Sequence, residues 1–111
     1  MDIKHVIKDN VAVISMAGRI MGGPDSTEVN QLINQLIDQK QVNVVIDLSG
    51  VELMNSSGLG ILIQSNQMLK QAGGALKLAN VTEKIQSLFV ITKLNTVFET
   101  YASVDEATHT F

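Results

Sequence analysis

Hydrophobic and polar positions divide the chain into short alternating segments. In "HVIKDNVAVISMAG", residues 5–18, two apolar runs flank Asp9-Asn10, which predicts two strands joined by a tight turn. "RIMGGPD" then breaks the pattern. In "DSTEVNQLINQLIDQK", Val29, Leu32, Ile33, Leu36 and Ile37 recur at helical spacing, and Asp25 with Glu28 three residues on suggests a capping box. "NVVIDL" is a nearly unbroken apolar run, expected of a central strand buried on both faces. "ELMNSSGLGILI", residues 52–63, opens a helix reaching about Ala72. Its apolar face carries Ile61, Leu62, Met68, Leu69 and Ala72, and Gly73-Gly74 ends it. "ALKLA" reads as a strand. Thr82 caps a helix bearing Ile85, Leu88 and Phe89, "VFETY" is a candidate last strand, and Ser103 with Glu106 forms a capping box before a terminal helix. Strands alternating with helices call for crossover connections, hence one α/β domain over residues 1–111 with a largely parallel sheet.

Composition removes several function classes. The 111 residues are 45% hydrophobic, enough for one core, with few aromatics, so aliphatic side chains and the five methionines are expected to fill it. The formal charge is −3, and Lys70, Lys77, Lys84 and Lys93 are scattered among acids. This argues against direct nucleic-acid binding, which needs a concentrated basic surface. There is no cysteine and no metal-ligand spacing, so neither a thiolate nucleophile nor a metal site is expected. No charged-then-apolar leader and no apolar run of membrane-spanning length occur, so the expectation is a soluble cytoplasmic protein without membrane insertion.

The corner "MNSSG" is the one feature that calls for a functional reading. A hydrolase nucleophile elbow needs glycine two residues before the serine, and Met54 stands there. A serine nucleophile also needs a base, yet the only histidines, His5 and His109, lie near the ends of the chain. Gly58 and Gly60 match the first two glycines of a dinucleotide fingerprint, but Ile63 occupies the third position. Asp47 and Glu52 are isolated carboxylates. No enzyme activity and no cofactor are expected. The plain reading of Asn55, Ser56 and Ser57 is a helix cap. However, one cap suffices and three capping-type residues stand in a row. If the preceding strands run parallel, the helices after "MGGPD" and "MNSSG" both start at the carboxyl edge of the sheet, where open α/β sheets place ligand sites. A helix N-terminus there tolerates a phosphate, and Gly22 and Gly23 could lend backbone amides, although the plainer reading of that pair is a simple turn before Pro24.

At these residues the sequence resembles a STAS domain of the anti-anti-sigma factor (anti-sigma factor antagonist) family. The resemblance runs from "NVVIDLSGVELMNSSGLG" through "YASVDEA" and includes "GRI" near the second strand. It implies a small mixed sheet with helices packed mainly on one side. It also implies binding, in the unphosphorylated state, to an anti-sigma factor that is itself a serine kinase, and so indirect regulation of transcription. The family's phosphoacceptor matches Ser56, phosphorylation releases the partner, and a metal-dependent serine phosphatase resets the switch. The implied partner surface is Asn55, Ser56, Ser57 and Gly58 with Gly22 and Gly23. Two positions depart from the family pattern. Asn55 replaces the usual aspartate before the serine, and Met21 stands where a second aspartate usually follows the second strand; both changes remove negative charge. A STAS module acting as a constitutive scaffold in a signalling or lipid-transport assembly is the alternative, and a small-molecule or nucleotide binder at the same edge is a third reading.

Overall fold

The computed structural model describes residues 1–111. Five strands, β1 (Asp2–Lys8), β2 (Val11–Ile20), β3 (Asn43–Met54), β4 (Ala75–Ala79) and β5 (Glu99–Tyr101), form one sheet in sequence order. β1 pairs antiparallel with β2, and all later pairs are parallel. The β1–β2 connection is a two-residue hairpin in which Asp9 and Asn10 have φ of 53° and 65°, both left-handed. That conformation matches the twist of the flanking strands and is tolerated best by Asn, Asp and Gly.

Four helices complete the fold: α1 (Pro24–Asp38), α2 (Ser56–Gln71), α3 (Glu83–Ile91) and α4 (Val104–His109). Side-chain alternation along the strands separates two cores. Ala12, Ile14 and Met16 of β2, Val44, Ile46 and Leu48 of β3, and Leu76 and Leu78 of β4 face α1–α3, where they meet Val29, Ile33, Leu36, Leu62, Leu69, Ile85 and Phe89. The residues between them, Val11, Val13, Val45 and Ala79, face the other way and are covered by α4 through Ala107. Burying each large aliphatic side chain in such a core contributes about 1.5–3 kcal/mol before the entropy of ordering the chain is counted. Val44, Val45 and Ile46 are fully buried in succession, as expected of a strand sandwiched between layers.

Several sequence expectations need correction. "RIMGGPD" is not wholly a break, because Arg19 and Ile20 continue β2 and only residues 21–23 form the loop. β3 runs past "NVVIDL" to Met54, carried through two register shifts against β2. β5 keeps only the "ETY" of "VFETY". Asp25 is not the cap of α1: Gly23 is the N-cap residue, Pro24 opens the helix, and no side chain caps it. Ala72 is the exposed C-cap of α2 rather than part of its apolar face. Met21 is not core filling, with 42% of its surface exposed.

Candidate functional site

Parallel pairing of β2 with β3 brings their carboxyl ends together, with Ile20 opposite Met54. The residues that follow, Met21–Gly23 before α1 and Asn55 before α2, therefore lie side by side. The Asn55 N–H donates to the Ile20 carbonyl at 3.4 Å. Asn55 is the N-cap of α2: its Oδ1 accepts from the Gly58 N–H at 2.8 Å, while its Nδ2 donates to the Met21 carbonyl at 3.3 Å. Asp25 holds the other side of Met21, accepting from its N–H at 3.2 Å through Oδ2. Asn55 thus caps one helix and ties down the loop leading into the other.

Two glycines permit this close approach. A side chain at Gly58 would collide with the Ile20 carbonyl oxygen, so glycine lets the first turn of α2 sit directly against the end of β2. Gly22 has φ +91°, and a Cβ there would lie 2.8 Å from the Ser57 Cβ. The loop therefore packs on Ser57 through a residue that must be both left-handed and bare.

Ser56 and Ser57 are exposed. Neither hydroxyl forms a hydrogen bond within the chain; capping falls to Asn55 alone, and the backbone-satisfying role open to the serines is not used. Their backbone N–H groups, in the first turn of α2, have no intrahelical acceptor and lie at the positive end of the helix dipole. Met21 and Leu53, 42% and 41% exposed, add apolar surface beside them. All six residues expected at the corner, Gly22, Gly23, Asn55, Ser56, Ser57 and Gly58, come together at this edge. Sequence reading missed the Nδ2 bond from Asn55 to the Met21 carbonyl, whose one signal was an amide, able to donate, at position 55.

The histidines lie elsewhere: His5 is on β1 and His109 ends α4 on the opposite face. The corner therefore holds a free hydroxyl with no imidazole beside it. No group of three or more His, Asp or Glu side chains gathers into a metal-binding cluster. No helix is long and apolar enough to cross a membrane. Asp47 lies further back on β3. Burial acts to raise its pKa, but hydrogen bonds from Asn80 Nδ2 and the Ser49 N–H, each at 3.0 Å, outweigh this and hold the carboxyl below its ordinary value. It fixes the β4–α3 connection to β3.

The STAS domain family model matches residues 2–107. The chain is 31% identical over 100 residues to the anti-sigma-B factor antagonist of Bacillus subtilis, covering 88% of this chain and 86% of that one. An anti-sigma factor antagonist from Mycobacterium paratuberculosis superposes with a TM-score of 0.79 at 26% identity, over 98% of this chain and 93% of the other. The Bacillus cell fate determinant SpoIIAA in its phosphorylated form shares the fold, with a TM-score of 0.74 at 18% identity and 97% of each chain covered. Sheet order, helix placement and these likenesses agree: the chain belongs to the STAS domain family of anti-sigma factor antagonists.

Proposed function

We propose that this protein binds an anti-sigma factor that is also a serine kinase, and that phosphorylation of Ser56 releases it. The observation that carries the reading is Ser56 itself. Its hydroxyl is exposed and unbonded at the mouth of α2, while the neighbouring Asn55 does the capping. A phosphoryl group there adds about −1.5 to −2 charges and three acceptor oxygens. The fold tolerates it, since the first-turn N–H groups and dipole favour an anion. An interface packed on the same surface does not, because an unmatched buried charge costs several kcal/mol and every ~1.4 kcal/mol is tenfold in affinity. The base for phosphoryl transfer comes from the kinase. Sequestering the anti-sigma factor frees its sigma factor, in the cytoplasm, and a serine phosphatase restores the binding form.

A second reading has its own support. Asn55 and Met21 leave the corner without the acids usual in the family, and Asp25, in the first turn of α1, is engaged with the Met21 N–H. A constitutive scaffold would need no phosphoacceptor. The two readings separate on phosphopeptide mapping after incubation with ATP and each anti-sigma serine kinase encoded in the same genome. Phosphate on Ser56 supports the switch. Phosphate on Ser57 alone, or none with any of these kinases, sinks it in favour of the scaffold.

A further inference from the structure

β1 is an open edge strand, and it is exposed on both faces. Six of its seven residues are exposed, including Val6 at 61% and Ile7 at 46%, which point to opposite sides of the sheet. Its inner edge is fully engaged with β2 from Asp2 to Lys8, so the outer edge presents a row of backbone donors and acceptors to solvent. The other edge, β5, is only three residues long.

The sequence of β1, "DIKHVIK", is complementary to itself when read antiparallel. We propose that β1 is a self-association surface, pairing with β1 of a second copy about a two-fold axis at His5 to make a continuous ten-stranded sheet, twice the five strands of one chain. In this register Asp2 lies opposite Lys8 of the second copy, Ile3 opposite Ile7, and Lys4 opposite Val6. The ion pair and the isoleucine pair each occur twice by symmetry. Ile3 and Ile7 share the face that carries α1–α3, since their partners on β2 are Met16 and Ala12, both in the larger core. The pairing thus extends the apolar face of each sheet into the other.

Charge selects this register. Opposite residues in an antiparallel pair share a face, so a two-fold axis through the strands allows only shifts of two. A shift one way sets Lys4 against its own copy. A shift the other way sets Lys4 against Lys8. Like charges directly opposite are unfavourable, and only the His5-centred register uses all seven residues with opposite charges at both ends. The side-chain ion pair of Lys8 with Asp105, 3.7 Å apart and exposed, competes only weakly for Lys8. The surface is independent of the Ser56 corner, which lies at the end of β3, with β2 between β3 and β1.

The test is sedimentation velocity of the full chain across a concentration range, with circular dichroism to confirm that each variant is folded. Wild type is expected to show a reversible, concentration-dependent monomer–dimer equilibrium. Asp2→Lys alone and Lys8→Asp alone each set like charges opposite one another, and each is expected to weaken the dimer at least about tenfold. The double variant reverses both charges and restores it. Asp105→Asn, which frees Lys8 from its intramolecular partner, leaves the dimer as strong or stronger. A wild type that stays monomeric to about 1 mM, the weak end of specific association, overturns the proposal. So does a dimer that either single charge reversal leaves unchanged or that the double variant fails to restore.

Discussion

At the residue scale, Asn55 explains how the corner keeps its shape without the aspartate usual in the family. A carboxylate can accept from the Gly58 N–H but cannot donate to the Met21 carbonyl; the amide does both. Asn55→Asp therefore keeps the cap and gains about 0.3–1 kcal/mol from charge at the helix N-terminus, while losing one hydrogen bond worth about 1 kcal/mol. Its stability in denaturant titration should stay within about 1 kcal/mol of wild type, the size of either opposing effect. Asn55→Leu loses both bonds and should destabilise by roughly 1–2 kcal/mol in the same measurement. Because Ser56 carries no capping bond, Ser56→Ala should be nearly neutral for folding. Asp47 sets a second expectation. Its folded pKa is depressed, so its contribution to stability is present above the unfolded value near ~3.9 and is lost as pH falls through the folded value. The stability gap between wild type and Asp47→Asn should be constant at neutral pH and narrow below about pH 4, in thermal melts followed by circular dichroism.

At the element scale, three helices end in the same way. After α1, α2 and α3 the next-but-one residue is left-handed: Lys40 at 61°, Gly73 at 87° and Lys93 at 61°. In each, paired bonds run back into the last turn, as from the Leu94 N–H to the Phe89 carbonyl at 2.7 Å and from Lys93 to Val90 at 3.1 Å. Only the middle helix uses glycine. Left-handed backbone costs a lysine about 1 kcal/mol, so Lys93→Gly should raise stability by about that amount, read as an increase in denaturation midpoint at unchanged slope. Elements set by local chemistry were legible in the sequence. The Asp9-Asn10 hairpin, the Thr82 and Ser103 caps and the end of α2 each depend on a few adjacent residues. The start of α1 was not. Asp25 and Glu28 have the spacing of a capping box, but Gly22 packs on Ser57, in a segment 35 residues away, which leaves left-handed Gly23 at the N-cap position and Pro24 to open the helix. The extent of β3 was equally hidden, because its two register shifts interrupt the alternation that marks a strand.

At the scale of the whole molecule, distant segments produce what no window reveals. In the sequence Lys77 is one of the lysines scattered among acids, yet in the fold only 7% of it is exposed. It lies on the α4 side of β4, donates to the Thr110 carbonyl at 3.0 Å and to the Thr110 hydroxyl, and faces the Phe111 ring at 4.3 Å and the Tyr101 ring at 5.6 Å. Glu99 lies 3.6 Å away. The ammonium thus holds residues 110–111 across the face that α4 covers. Lys77→Ala removes that anchor, while Thr110, which is exposed, turns to water; the expected loss is about 1.5–3 kcal/mol, the worth of hydrogen bonds from a charged group, with increased hydrogen exchange confined first to α4. Lys77→Met, which keeps the packed stem, should lose less. The same logic of assembly makes the Ser56 corner. Its serines were visible as a motif, but the loop that frames them arrives only through parallel pairing of β2 with β3. The most direct test of this corner as a charge-controlled partner site is a calorimetric titration of the cognate anti-sigma kinase with the protein before and after stoichiometric phosphorylation. Binding should be weakened at least about 100-fold by the phosphate, equivalent to ~2.7 kcal/mol, while circular dichroism shows the same fold. Equal affinity of the two forms would contradict the switch.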